Sequence, residues 1–238
     1  MHKSGLWCTA TCGVKEVCMK KPTNKAGKPF YKRRRLYIGI GVMFVTMATK
    51  ETLSLRDSQV EKDNIARIEN YIAQKNPRIP IQELNLLSKA IRTYAPQLKI
   101  PDSMKIDGEE INKEFLLTAI IYTESHFYRY ARSRVGAQGY MQIMPDTANW
   151  LASIKRIRGI RQKIWHPDTN ISLGVYFINV LIKEMGSLEK ALLAYNAGPG
   201  AVRAWGGVPA YWNNIVAYYR ELKSMAPPEV IPELAALE

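Results

Sequence analysis

The fold is decided by the stretch Ile111-Asn112-Lys113-Glu114-Phe115-Leu116-Leu117-Thr118-Ala119-Ile120-Ile121-Tyr122-Thr123-Glu124-Ser125. Ile111, Phe115, Ala119 and Ile120 fall on one side at helical spacing, and Leu116 and Ile121 widen that side. The reading is a strongly apolar helix over 111–125 that carries one carboxylate, Glu124, near its end. Tyr122, His126 and Phe127 crowd it. A carboxyl held against apolar and aromatic groups disfavours its charged form, so its pKa rises. A general acid working near neutral pH needs that property.

On both sides of this helix the chain keeps helical periods. Ile65, Ile68 and Ile72 repeat at that spacing, as do Leu84, Leu87 and Ile91, with Pro77, Pro80, Pro96 and Pro101 at the connections. Residues 132–144, broken by Gly136 and Gly139, read as an irregular or hairpin stretch. Pro145-Asp146 opens a short helix to about Ala152. Asn170 is expected to cap a helix bearing Ile171, Val175, Ile178, Leu181 and Ile182. Ser187 caps the next, through Leu188, Leu192 and Tyr195, which Gly198-Pro199-Gly200 stops. A last helix is expected from about Trp212 to Lys223. The fold class is mainly α, with at most a small β-hairpin near 132–144.

The charge is uneven. The 238 residues carry a net +13, but residues 1–50 hold 11 of the 34 Lys and Arg and a single acid, Glu16. The remainder, with 23 basic and 20 acidic residues, is close to balanced. The basic excess therefore describes mostly the N-terminal segment and is weak evidence for nucleic-acid binding by the folded part, for which no nucleic-acid partner is expected. Cys8, Cys12 and Cys18 all lie in the basic segment, with no His or fourth Cys at metal-ligand spacing. No cofactor and no metal are expected. Lys32-Arg33-Arg34-Arg35 precedes an apolar run over 36–48, which reads as a signal peptide or, as the alternative, a short membrane anchor. Met19-Lys20-Lys21 would start a leader of ordinary length. The domain expectation is a basic segment 1–50, a helical extension 52–110 packed on the main domain, a catalytic domain 111–225 and a tail 226–238.

Three blocks in order resemble those of the soluble lytic murein transglycosylase family, relatives of goose-type lysozyme. They are Glu124-Ser125-His126-Phe127, Gly136-Ala137-Gln138-Gly139-Tyr140-Met141-Gln142-Ile143-Met144-Pro145 and Ala194-Tyr195-Asn196-Ala197-Gly198-Pro199-Gly200-Ala201-Val202. Pro167-Asp168-Thr169-Asn170-Ile171 and Gly174 match the segment between them. The resemblance spans roughly residues 110–223 and implies a lysozyme-like helical domain. It implies Glu124 as the single acid and base. Gln142 and Met144 would line the sugar cleft, and Tyr195, Asn196 and Ala197 its opposite wall, with Tyr195 near the catalytic carboxyl. Ser125 would orient Glu124 or the substrate, and Tyr218 is a further candidate.

Two positions depart from the family pattern. Tyr140 stands where Leu is usual, which changes the packing expected beneath the cleft, and His126 stands where a small residue is common. The activity implied is non-hydrolytic cleavage of the MurNAc-GlcNAc bond in peptidoglycan glycan strands, leaving 1,6-anhydro ends. Goose-lysozyme-type hydrolysis and a wall-binding assembly role are the alternatives. Asp146 reads as a helix-start residue and Asp168 as part of a linker, so no second carboxylate is evident in the motif blocks. An exported protein of the periplasm or cell envelope is expected, with secretion or conjugation machinery as a possible partner. The basic stretch 155–163 reads as a solvated face, or as a contact for anionic wall polymer.

Overall fold

The computed structural model describes residues 55–56 and 58–226. The basic segment, its cysteines, the apolar run 36–48 and most of the tail lie outside them. The first described helix, α1, runs over 58–75 and buries Ile68, Tyr71 and Ile72. Pro77 and Pro80 interrupt the chain before α2 (Ile81–Tyr94), which buries Leu84, Leu87 and Ile91 and ends in a 3-10 turn, Ala95–Gln97. A loop over 98–112 then leads to α3 (Lys113–Ser125).

α3 is the centre of the molecule. Asn112 caps it, its Oδ1 accepting from the backbone N–H of Glu114 and Phe115, each at 3.0 Å. Leu116, Leu117, Thr118, Ala119, Ile120 and Ile121 are all fully buried. A helix apolar on nearly every side must be covered on every side. The sequence showed one broadened face, and the structure surrounds it. Thr118 is tolerated in this core because its hydroxyl donates to the Glu114 carbonyl at 2.7 Å.

The chain then passes through an irregular stretch, where isolated bridges pair Arg132 with Gln138 and Gln138 with Ile143. No named strand occurs among the described residues. α4 (Pro145–Ile154), the short α5 (Ile160–Lys163), α6 (Pro167–Met185), α7 (Leu188–Ala197), α8 (Pro199–Trp205) and α9 (Pro209–Ser224) follow. α9 packs along α3, and α7 packs against α6. The domain is mainly helical, as the periodicity indicated.

Some local expectations are corrected. Asn170 does not cap α6: that helix begins at Pro167 with His166 in the cap position, and Asn170 is buried one turn inside it. Asp168 therefore lies in the first turn of α6 and not in a linker. Asp146 likewise sits in the first turn of α4, whose cap position is Met144. Ser187 does cap α7, accepting from the Lys190 N–H. Beyond Gly198 the chain does not simply turn, because Pro199 starts α8; α9 also begins earlier than expected, at Pro209. Proline at a first helical position loses no bond and presets φ, so Pro199 opens a helix where Gly198-Pro199-Gly200 was read only as ending one.

Candidate active site

Glu124 occupies the last turn of α3. His126 (φ 51°) and Phe127 (φ 62°) follow in the left-handed region and swing the chain away immediately after it. The His126 N–H closes the helix on the Tyr122 carbonyl at 2.9 Å, and Phe127 is buried. The carboxylate is fixed by a residue of α9: the Tyr211 hydroxyl donates to Glu124 Oε1. Loss of water around the Glu124 carboxyl pushes its pKa up to about 7, and the Tyr211 hydrogen bond pulls the other way. Tyr211 and Tyr195 are in turn held protonated, first by burial and then by the charge of Glu124. The arrangement is one carboxyl, poised near neutrality, between two phenols.

The turn 139–144, joined to the surroundings of Glu124 through Tyr195, is pinned from several directions. Asn170 inserts beneath it: its Oδ1 accepts from Met141 N–H at 2.7 Å, and its Nδ2 donates to the Gln138 and Ile164 carbonyls at 3.0 Å each. Gly139 (φ +79°) lies so close that a Cβ there would meet Asn170 Nδ2 at 2.3 Å. Gly174 of α6 similarly admits the Met141 side chain, which a Cβ would meet at 2.7 Å. From α7, the Tyr195 hydroxyl donates to the Met141 carbonyl at 2.7 Å. Gln142 adopts φ 44° and its Nε2 donates to the Ala131 and Gly139 carbonyls at 3.0 and 2.9 Å. Those bonds hold a non-glycine residue in a conformation that costs on the order of 1 kcal/mol or more.

The predicted residues therefore separate. Tyr195 is tied both to Glu124, through its charge, and to the turn bearing Gln142. Met144 is exposed at the N-terminus of α4, Asn196 is exposed and Ala197 half-buried at the end of α7. Ser125 is not presented to a groove. It is 4% exposed, and its hydroxyl donates back to the Ile121 carbonyl at 3.0 Å. Tyr218 packs edge-on against Tyr122, with ring centroids 4.6 Å apart; Tyr122 lies two residues, roughly half a turn, before Glu124 on α3. His126 is exposed against the same Tyr122 ring.

Tyr211 is the residue that sequence reading missed. A signal was available, since Tyr211 and Tyr218 lie seven apart, on one face of α9. Among the described residues no cluster of His, Cys, Asp and Glu could hold a metal ion.

Residues 104–211 match the Transglycosylase SLT domain. The soluble lytic murein transglycosylase of Salmonella typhimurium is 37% identical over 119 residues, 48% of this chain and 18% of that one. The membrane-bound lytic murein transglycosylase C of Histophilus somni is 33% identical over 149 residues, 56% of this chain and 39% of that one. The 70 kDa soluble lytic transglycosylase of Escherichia coli, a solved structure, aligns with 58% of this chain and 25% of its own at 28% identity and a TM-score of 0.45. The match thus spans less than a fifth of the length of the soluble relatives.

Proposed function

With residues 104–211 carrying a transglycosylase SLT domain, we propose that this chain cleaves the MurNAc-GlcNAc β-1,4 bond of peptidoglycan without adding water. Glu124 acts first as acid, giving its proton to the glycosidic oxygen as the C–O bond breaks. The N-acetyl carbonyl of the MurNAc closes on its own anomeric carbon. Glu124, now a carboxylate, takes the proton of the C6 hydroxyl as that oxygen attacks the same carbon and the bond from that carbon to the acetyl oxygen breaks, which forms the 1,6-anhydro ring, frees the N-acetyl group and restores the acid.

The observation that carries this reading is the setting of Glu124. Its pKa near 7 places it between both protonation states at neutral pH, which suits a group that must give and then take a proton. The influences on it are lost water and the Tyr211 hydroxyl, with no second carboxylate among them. Glycosidases that activate a water or form a glycosyl-enzyme pair two carboxyls. A lone carboxyl suits a substrate that supplies its own nucleophile.

Gln142 and Met144 on one side, and Tyr195, Asn196 and Ala197 on the other, would line the glycan strand, with Tyr211 holding the acid. The described site needs no cofactor for this scheme. Lys32-Arg33-Arg34-Arg35 and the apolar run 36–48 support export to the envelope, with cleavage or retention of the run as a membrane anchor both open to it. Residues 155–163 form an exposed basic surface that suits anionic wall polymer.

Digestion of purified peptidoglycan with mass spectrometry of the products tests the reading. Anhydro-muropeptides are expected, falling at least about 100-fold in Glu124→Gln, as befits loss of a general acid. Reducing-end products instead would make the chain a hydrolase. No product from the wild-type chain would leave a wall-binding role.

A further inference from the structure

Asn170 and Tyr195, two of the anchors of the 139–144 turn, lie within the matched domain, but a third does not. Tyr140, at the root of the turn, is 1% exposed, and its hydroxyl donates to Glu83 Oε1 in the first turn of α2. Glu83 belongs to the helical extension, outside residues 104–211. Its second oxygen accepts from Arg129 Nη1 at 3.0 Å. Arg129 also donates from Nε to the Trp165 carbonyl at 2.7 Å, just ahead of α6. Both charged side chains are mostly sheltered, at 16% exposure for Glu83 and 23% for Arg129. The carboxylate thus joins the chain four residues after Ser125 to the turn that bears Gln142 and Met144. Burial and the facing Glu83 charge keep the Tyr140 phenol protonated, and so a donor.

We propose that Glu83 is a positioning residue of the active site: through Tyr140 and Arg129, helix α2 fixes the 139–144 turn in the place from which Gln142 and Met144 receive the glycan. A charged acceptor binding both a phenol and a guanidinium is stronger than either neutral contact alone. It takes the place of packing that an aliphatic side chain at position 140 would supply. Catalysis itself stays with Glu124. The effect on catalysis rests on the proposed glycan-cleaving function, whereas the clamp can be read without it.

The test uses the full chain in four forms: wild type, Tyr140→Phe, Glu83→Ala and Glu83→Gln. Tyr140→Phe keeps the ring and removes only the hydroxyl, and thermal unfolding checks that each variant is folded. In Tyr140→Phe and Glu83→Ala, hydrogen exchange at the amides of residues 139–144 is expected to quicken roughly tenfold, the worth of one hydrogen bond to a charged group. Exchange in α3 should not change. KM for soluble glycan strands should rise severalfold in both, with kcat and its pH profile held, because Glu124 is untouched. Glu83→Gln keeps an oxygen for the Tyr140 hydroxyl and should restore most of the protection and of KM. Wild-type exchange in folded Tyr140→Phe and Glu83→Ala overturns the clamp, and faster exchange with an unchanged KM overturns its role in positioning. A wild-type chain that cuts no glycan would sink the proposed function and leave the exchange result to judge the clamp.

Discussion

At the scale of the residue, the proposed chemistry rests on how Glu124 is desolvated and on what holds it. Burial raises its pKa to about 7, and the Tyr211 hydroxyl lowers it, because a donor stabilises the carboxylate more than the acid. Removing that donor in Tyr211→Phe therefore raises the pKa further. A general acid works while protonated, so activity is present below the pKa and lost above it. The descending limb of the pH–rate profile is then expected to move to higher pH in Tyr211→Phe. A limb that stays in place would mean that Tyr211 does not reach the acid in solution. Glu124 at the end of its apolar helix was legible in the sequence because the residues that mark it are neighbours in the chain. The bond from Tyr211 was not, because 87 residues separate that phenol from the carboxyl it binds.

At the scale of the element, α6 is more than a linking helix. Its Asn170 was read as a cap from residue type and position alone, yet it is buried and hydrogen-bonds three backbone groups. Asn170→Ala would leave the Met141 N–H and the Ile164 carbonyl unpaired and strip one of the two donors from the Gln138 carbonyl. The cost is roughly 3–5 kcal/mol, which a thermal melt should show as a fall of about 10 °C or more. Gly139→Ala should be comparably harmful, since its Cβ would displace the same amide and its φ of +79° is strained for alanine. A melt within two or three degrees of wild type for Asn170→Ala (~1 kcal/mol by the same scaling) would refute the strut. The glycines of this block were visible in the sequence. What they make room for, a side chain from 31 residues further on, was not.

At the scale of the molecule, the buried apolar cluster runs without a break from Ile68 to Leu222. Tyr71, Ile72, Leu87 and Ile91 are fully buried although they precede the matched domain. Each is worth on the order of 1.5–3 kcal/mol, so their loss together rivals the whole stability of an ordinary domain, about 5–15 kcal/mol. A fragment of residues 104–226 is therefore expected to show no cooperative unfolding transition, whereas residues 54–226 should. A sharp transition in the shorter fragment would make α1 and α2 dispensable additions.

The sequence by itself determined the helical class, the central apolar helix, the carboxyl at its end and the three blocks around it. Each of these is written in residues a few positions apart, where helical period and motif spacing are visible. Only the tertiary structure decided that Tyr211 holds that acid, that Ser125 turns inward and that Asn170 braces a turn. It alone brought Glu83 of the extension to the turn beside the site. These pairings arise from the packing of α9 on α3 and of α2 near the 127–140 segment. Nothing in local propensity encodes which distant polar group a buried donor will find, only that, once buried, it must find one.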